Sequence, residues 1–180
     1  DYEELKKIDQ NIQEKYLLNF SLFQSLPDNW GIDQEFPIMP ISHLDKKPTR
    51  SASLWDITCD SDGELPFDLK KPLYLHDINL NKEDYFLGFF NVGAYQDTLG
   101  MKHNLFSHPT EANVVFKDGE VVIEKILESQ KIIDILEDID YDTDEMENIL
   151  SKNLSPDIYK DLKKYLNENS YLKTIWSYYE

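Results

Sequence analysis

The chain has 180 residues, of which 41% are hydrophobic and 13% are aromatic, and this composition excludes an intrinsically disordered protein. Its formal net charge of −17 argues against nucleic acids and anionic membranes as partners, because both repel an acidic surface. No apolar run reaches the roughly 18 residues of a membrane-spanning helix, and the first residues are acidic and polar, unlike a signal peptide.

The first half of the chain is predicted to be a helix followed by short strands. Over residues 2–16 the apolar positions recur every three or four residues, which predicts an amphipathic helix. Apolar runs bounded by turn-forming residues predict extended segments at 16–23, 35–41, 53–58, 73–78 and 85–92. Residues 95–106 are predicted to form a short, irregular helix that breaks near Gly100.

The second half combines a β-hairpin with helices. Lys117-Asp118-Gly119 separates two β-branched runs, residues 112–116 and 120–126, and Asp-Gly at this position is typical of a tight hairpin turn. Helices are predicted at residues 129–139, from Thr143 as an N-cap, from Ser155-Pro156, and at residues 171–179.

These elements predict an α+β fold that is mainly β with helices. We expect a Greek-key-like β-barrel or sandwich over residues 17–127, preceded by a helix over residues 1–16 and followed by a small helical appendage over residues 128–180. A chain of 180 residues is too short for this domain plus a (β/α)₈ barrel, and it lacks an alternating strand–helix series. A (β/α)₈ barrel is therefore predicted to be absent.

One predicted turn carries the single cysteine of the chain. Residues 54–58 begin as a buried strand would, and the turn formers of Cys59-Asp60-Ser61-Asp62-Gly63 follow. A thiol beside a carboxylate at a strand end is expected on a loop, where reactive groups are often displayed. The alternative is a small buried hydrophobic side chain, and these residues alone leave both open. A lone cysteine cannot form an internal disulfide, so we expect a reducing, cytoplasmic setting.

The segment Thr58-Cys59-Asp60-Ser61-Asp62-Gly63 resembles the Cys-Asp loop of the alanine-racemase-like decarboxylases, which use pyridoxal phosphate on basic amino acids. Other segments, in the same order, resemble the C-terminal region of the biosynthetic arginine decarboxylases: Asn19-Phe20-Ser21-Leu22-Phe23-Gln24-Ser25, Trp30-Gly31-Ile32-Asp33-Gln34, Gly88-Phe89-Phe90-Asn91-Val92-Gly93-Ala94-Tyr95-Gln96 and His103-Asn104-Leu105-Phe106. The resemblance makes residues 1–16 the stub of a helical insertion. Phe20-Ser21 stands where the related ornithine enzymes carry Asp-Gly, so no acidic role transfers to this strand.

The resemblance implies roles for the residues of the Cys-Asp loop. The loop is expected to cross a dimer interface into the active site of the other subunit. There Cys59 would be catalytic and would help to direct protonation of the α-carbon after carbon dioxide leaves. Asp60 would bind the distal cationic end of the substrate, and a carboxylate accepts two parallel hydrogen bonds from the guanidinium of arginine. Asp62 either adds to this substrate-binding charge or only turns the loop.

The resemblance also implies a contact with pyridoxal phosphate. Tyr95 would reach the phosphate through its hydroxyl, and Gly93 would let the backbone approach closely. The alternative for Tyr95 is a core aromatic residue with a hydrogen-bonded hydroxyl. The family holds the cofactor as a Schiff base on a barrel lysine, and that lysine is not expected in this chain.

No metal site is predicted from the residues. The acidic run 134–147 fails the calcium-loop pattern, because the glycine position is Thr143 and the terminal glutamate position is Ile149. The histidines have no metal-ligand spacing with each other or with the cysteine, and His103 has no assigned role. The family is often described as magnesium-assisted, so a requirement for Mg²⁺ stays open.

The function implied by the resemblance is that of part of a pyridoxal-phosphate-dependent arginine decarboxylase, a lyase that converts arginine to agmatine and carbon dioxide in polyamine and spermidine biosynthesis. This chain alone is expected to be inactive, and the whole enzyme to be a cytoplasmic homodimer or higher homo-oligomer. One alternative is a non-catalytic module that pairs with a decarboxylase subunit and regulates it. Another is a decarboxylase of a different basic amino acid or of carboxyspermidines.

Overall fold

The structure is a computed structural model and describes residues 13–65, 73–93 and 95–172. Helices and strands are mixed in these residues, which confirms the predicted α+β class. The chain divides into two compact units. The described part of the first comprises residues 13–100 and 172, and the second is Met101–Tyr171.

The first unit is built on strand β3 (Arg50–Trp55). Strand β1 (Glu14–Leu17) runs parallel to one edge of β3. The other edge pairs antiparallel with β4 (Glu64–Leu65) near its C-terminal end and with β5 (Leu73–Leu75) near its N-terminal end. Strand β3 is therefore the centre of the sheet.

A second sheet in this unit has two antiparallel strands, β2 (Ile38–Pro40) and β6 (Leu87–Phe89). The predicted extended segments 35–41, 73–78 and 85–92 each contain one observed strand, which confirms them. The segment predicted at 53–58 overlaps β3 only in residues 53–55, because the strand begins earlier, at Arg50. The strands of the described residues lie in three separate sheets, so the predicted Greek-key-like closure is not seen in this part of the chain. No (β/α)₈ barrel is present there, as predicted.

Residues 14–16 differ from the sequence prediction. The sequence predicts a helix over residues 1–16, but β1 (Glu14–Leu17) is a strand, in which Tyr16 aligns with Leu54 of β3. The apolar spacing could not show that a strand edge of β3 is available to this backbone. Residues 1–12 of the predicted helix lie outside the described residues.

The predicted strand over residues 16–23 is also shorter than expected. Helix α1 (Leu22–Ser25) begins after Ser21, whose hydroxyl accepts a hydrogen bond from the backbone N–H of Gln24 at 3.4 Å. A serine N-cap satisfies a helix donor that lacks an intrahelical partner. This local cap ends the extended conformation, although the apolar alternation continues in the sequence.

Two more short helices belong to the first unit, α2 (Pro27–Ile32) and α3 (Gln96–Leu99). Helix α3 ends at Gly100, as the sequence predicts. An added Cβ at Gly100 would lie 2.7 Å from the carbonyl oxygen of Gln96 and 2.8 Å from that of Gln24. Glycine is therefore required where this helix end meets the backbone at residue 24.

The core of the first unit lies between the sheet and α1. Its fully buried members are aliphatic, and five of them are leucines: Leu22, Leu26, Ala52, Leu54, Leu65 and Leu75. Alternate residues of β3 point into this cluster, so the strand that leads to the cysteine loop is anchored on its buried face.

Replacement of Leu54 with alanine is expected to destabilise the protein by about 2–5 kcal/mol, because Leu54 is fully buried and the core cannot collapse completely around the lost atoms. The measurement is the free energy of unfolding in urea. Leu44→Ala is the matched control, since Leu44 is 71% exposed. Equal destabilisation by the two variants would contradict the assignment of β3 to the core.

The second unit contains the hairpin and the C-terminal helices. Strands β7 (Glu111–Lys117) and β8 (Glu120–Leu127) pair antiparallel around Asp118 and Gly119, whose φ values are 52° and 88°. Positive φ at both turn residues matches the predicted Asp-Gly turn. The sequence places this hairpin in the β domain, whereas the compact units group it with the helices that follow.

Three helices complete the second unit: α4 (Ile132–Asp138), α5 (Thr143–Asn153) and α6 (Pro156–Leu166). They confirm the predicted helices with two corrections of boundaries, and the first is that α4 begins at Ile132 and not at residue 129. Asp142, and not Thr143, is the N-cap of α5, and its carboxylate accepts from the N–H of Glu145 at 2.8 Å. The last predicted helix, residues 171–179, falls largely outside the described residues. No helix in the described ranges is long and apolar enough to cross a lipid bilayer.

Candidate functional site

The cysteine lies on the loop that joins β3 to β4. The two strands pair in the register Leu54 with Leu65 and Trp55 with Glu64. At the base of the loop, the N–H of Asp56 donates to the carbonyl oxygen of Gly63 at 2.9 Å. We call the closed turn between these two residues, 56–63, the cysteine loop.

The side chain of Asp56 holds the cysteine loop from the inside. Asp56 is only 3% exposed. Its Oδ1 accepts from the backbone N–H of Thr58 at 2.9 Å and from the Thr58 hydroxyl at 2.8 Å. Its Oδ2 accepts from the N–H of Leu22 at 2.8 Å, at the start of α1. One buried carboxylate therefore joins the end of β3, the loop and the first helix.

Cys59 and Asp60 lie on the part of this loop that faces solvent. Cys59 is exposed, so the sequence alternative of a buried hydrophobic thiol does not hold in the structure. Asp60 is partly exposed, and its Oδ1 accepts from the N–H of Asp62 at 3.0 Å. This contact makes Asp60 the N-cap of the 3₁₀ helix Ser61–Gly63. Thiol and carboxylate are thus displayed side by side on a turn that is ordered by its own hydrogen bonds.

Asp62 follows on the same short helix and is exposed. Its backbone N–H fixes the loop through Asp60, while its side chain adds a second carboxylate to the exposed surface. The structure therefore brings Cys59, Asp60 and Asp62 together on one loop, as the sequence predicts.

Gly93 and Tyr95 lie on a separate segment between β6 and α3. Gly93 has a φ of 121°, a backbone conformation that residues with a side chain rarely adopt. Apart from its two chain neighbours, no atom of the described residues lies within 4 Å of an added Cβ. Tyr95 is 57% exposed and precedes α3. It is not the core aromatic residue that the sequence left as an alternative.

This segment fits the phosphate end of pyridoxal phosphate. The exposed Tyr95 side chain offers a neutral hydroxyl as a hydrogen-bond donor, and the open space at Gly93 leaves the backbone accessible. Of the groups of the cofactor, these residues suit the phosphate alone.

Two histidines of the first unit, His43 and His76, have partners within that unit. The Nε2 of His76 donates to the carbonyl oxygen of Lys46 at 3.0 Å, and its Nδ1 lies 2.6 Å from the Tyr85 hydroxyl. Burial raises the pKa of Tyr85, which keeps the hydroxyl protonated so that it donates to Nδ1. The ring of His43 lies beside this pair, and its Nε2 is 3.2 Å from a carboxylate oxygen of Glu83. We therefore assign His76 to the packing of this unit.

His103 begins the 3₁₀ helix His103–Leu105 of the second unit, and its position assigns it no chemical step. Across the ranges that the structure describes, no three potential metal ligands come together.

Asp56 is the site residue that sequence reasoning missed. An aspartate at the end of a strand is indistinguishable from an ordinary turn former in the sequence. Its importance depends on Leu22, which is distant in the chain and whose backbone N–H donates a hydrogen bond to the Asp56 carboxylate. The available signal was the strongly apolar strand on its N-terminal side, which predicts burial at this position.

No protein-family model matches the chain. The biosynthetic arginine decarboxylase of Phocaeicola vulgatus is 43% identical over 143 residues, which cover 77% of this chain and 23% of that protein. The enzyme of the same name from Citrifermentans bemidjiense is 39% identical, with 98% of this chain and 29% of that protein covered. The chain therefore spans less than a third of the length of these curated relatives.

The chain is also similar to solved structures of decarboxylases. The crystal structure of the biosynthetic arginine decarboxylase from Campylobacter jejuni is similar to this chain with a TM-score of 0.81 and 54% identity, and the similarity covers 89% of this chain and 29% of that one. A diaminopimelate decarboxylase from M. jannaschi has a TM-score of 0.51 at 15% identity, which shows a likeness of fold alone.

Proposed function

Because this chain matches the C-terminal region of the biosynthetic arginine decarboxylases at 39–50% identity, we propose that it forms the C-terminal part of a pyridoxal-phosphate-dependent enzyme that converts arginine to agmatine and carbon dioxide. The observation that carries the proposal is the cysteine loop. It displays an exposed thiol next to a carboxylate on a turn held by a buried aspartate.

In this proposal Cys59 is the catalytic residue of the chain. Its thiol is a small acid at the solvent-facing side of the loop, and it holds the proton that is delivered to the α-carbon once carbon dioxide has left. The cysteine loop reaches the active site of a second subunit, so the thiol acts across the subunit interface.

Asp60 binds the guanidinium of the substrate. A planar guanidinium donates two parallel hydrogen bonds to a carboxylate, which fixes both the position and the orientation of the distal end of arginine. Asp62 places a second negative charge on the same exposed surface. The net charge of −17 also favours the approach of a cation from solution.

Tyr95 and Gly93 would hold the phosphate of pyridoxal phosphate. The Tyr95 hydroxyl would donate a hydrogen bond to the phosphate, and Gly93 would let the backbone approach it closely. When bound, pyridoxal phosphate is the electron sink for the carbanion that decarboxylation leaves. The lysine that attaches it belongs to a part of the enzyme outside this chain.

Replacement of Tyr95 with phenylalanine is expected to weaken binding of pyridoxal phosphate about 10- to 100-fold, because a hydrogen bond to a charged group is lost. At saturating cofactor, kcat is expected to stay within a few-fold of wild type. The measurement is a titration of the apoenzyme with pyridoxal phosphate, followed by absorbance. Tyr74→Phe is the control, since Tyr74 is 46% exposed on β5. Unchanged affinity in Tyr95→Phe would remove Tyr95 from the cofactor site.

The finer parts of the proposal concern the whole enzyme. It works as a homodimer or higher homo-oligomer in the cytoplasm and supplies agmatine to polyamine and spermidine biosynthesis. Mass measurement of the native assembly, and assays with and without Mg²⁺, test the oligomer and the metal requirement directly.

The substrate is tested with labelled amino acids. The whole enzyme, supplied with pyridoxal phosphate, is expected to release labelled carbon dioxide from arginine with a far higher kcat/KM than from lysine, ornithine or diaminopimelate. A preference for lysine or ornithine would replace arginine with another basic amino acid. Absence of release from any of the four would favour the non-catalytic, regulatory module.

A further inference from the structure

We propose that Asp56 is the positioning residue of the cysteine loop, which holds Cys59 and Asp60 in their working arrangement without touching the substrate. The inference rests on the proposed function of the loop and names the group on which that function depends. Asp56 is 3% exposed and lies behind the displayed residues.

Burying the Asp56 carboxylate costs free energy. An ionised carboxylate loses strong hydration when it is buried, and an apolar side chain of similar size would fill the same space more favourably. The partners that the structure shows for its oxygens are backbone N–H groups and one hydroxyl, from Leu22 and Thr58. A carboxylate is the side chain that accepts at both oxygens and donates at neither. The hydrogen bonds that the Asp56 carboxylate accepts therefore order the loop.

Hydrogen bonds connect Asp56 to both neighbours of Cys59 in the chain. The hydroxyl of Thr58 donates to Asp56 Oδ1 at 2.8 Å and also accepts from the N–H of Asp60 at 3.3 Å. The backbone of Thr58 is tied to the same oxygen at 2.9 Å. The residues on either side of Cys59 are thus fixed by one carboxylate, which sets the direction of the thiol.

Gly63 leaves room for the Asp56 carboxylate, and this packing is independent of the hydrogen bonds. An added Cβ at Gly63 would lie 2.1 Å from Asp56 Oδ1 and 2.7 Å from its Cγ. Such approaches are far inside van der Waals contact, so any larger residue would displace the carboxylate. Glycine at this position leaves the space that the carboxylate occupies.

The test compares Asp56→Asn and Gly63→Ala in the whole enzyme. An asparagine presents one accepting oxygen and one donating amide, so one of the three N–H or O–H partners faces another donor. We expect kcat/KM for arginine to fall about 10- to 100-fold, mostly in kcat, as reacting groups move by fractions of an ångström. Gly63→Ala, which alters no donor or acceptor of Asp56, is expected to cause a loss of the same kind. Ser61→Ala is the control in the same loop, and its exposed side chain predicts a change within about twofold.

A double-mutant cycle separates positioning from general stability. In a Cys59→Ala background, Asp56→Asn is expected to lower kcat further by less than about threefold, because the thiol that Asp56 positions is absent. Full additivity of the two losses would overturn the proposal. Equal losses of kcat/KM for arginine in Asp56→Asn and Ser61→Ala would overturn the proposal as well.

Hydrogen exchange gives a readout that does not depend on activity. Asp56→Asn is expected to speed exchange at Leu22 and in residues 57–63, with exchange in helix α5 unchanged. Unchanged exchange in the loop would overturn the proposal. If Cys59→Ala alone keeps full activity, the proposed function fails, and faster exchange would still identify Asp56 as the residue that orders the loop.

Discussion

Replacement of Cys59 with alanine is expected to lower kcat for decarboxylation of arginine by about 10²- to 10⁴-fold, the range that positioned acid groups contribute. Alanine removes the proton donor and keeps the hydrogen bonds that Asp56, Thr58 and Asp60 make within the loop. The KM for arginine is expected to change little, since Asp60 is still present. The measurement is the initial rate of labelled carbon dioxide release at saturating pyridoxal phosphate.

Cys59→Ser is the matched variant for this prediction. Serine is close to cysteine in size and replaces the S–H with an O–H, which is a much weaker acid than a thiol, so an intermediate kcat is expected. A Cys59→Ala enzyme with kcat within twofold of wild type would contradict a catalytic role for the thiol.

Replacement of Asp60 with asparagine is expected to raise the KM for arginine by about 30- to 1,000-fold, because one partner of a desolvated, hydrogen-bonded ion pair loses its charge. Asparagine is the informative choice here. Its side-chain oxygen can still accept from the N–H of Asp62, which Asp60 Oδ1 does at 3.0 Å, so the 3₁₀ helix keeps its cap. The measurement is the KM for arginine together with its dissociation constant from calorimetry.

The control for Asp60 is Asp33→Asn. Asp33 is exposed at the end of α2 with a φ of 55°, a conformation that asparagine also adopts readily. This variant removes one negative charge from the same chain, so it corrects for the global attraction of a cation. Equal changes of KM in the two variants would show that the effect is long-range and would contradict a direct contact between Asp60 and arginine.

Local signals account for what the sequence predicted of this structure. The Asp118-Gly119 pair predicts a hairpin from the turn residues alone, because both residues adopt positive φ readily. The turn-forming residues after Cys59 place the thiol on a loop. The helices that the sequence starts at Thr143 and at Ser155-Pro156 are both present, although Asp142 and not Thr143 is the first cap.

Long-range contacts decided the features that the sequence did not predict. Residues 14–17 form a strand because β3 offers them a parallel edge. Ser21 starts a helix in a run of alternating apolar residues, and the N–H of Leu22 meets the Asp56 carboxylate across the fold. The role of Asp56 therefore needs the folded structure, since its partners are brought together only there.

Alkylation of Cys59 tests most directly whether this residue lies in an active site that binds arginine. Cys59 is exposed and is the only cysteine of this chain, so iodoacetamide labelling of its peptide can be followed by mass spectrometry in the whole enzyme. With arginine at tenfold its dissociation constant, the labelling rate is expected to fall about tenfold, and sodium chloride of equal ionic strength should leave it unchanged. A labelling rate that is the same with and without arginine would contradict the account.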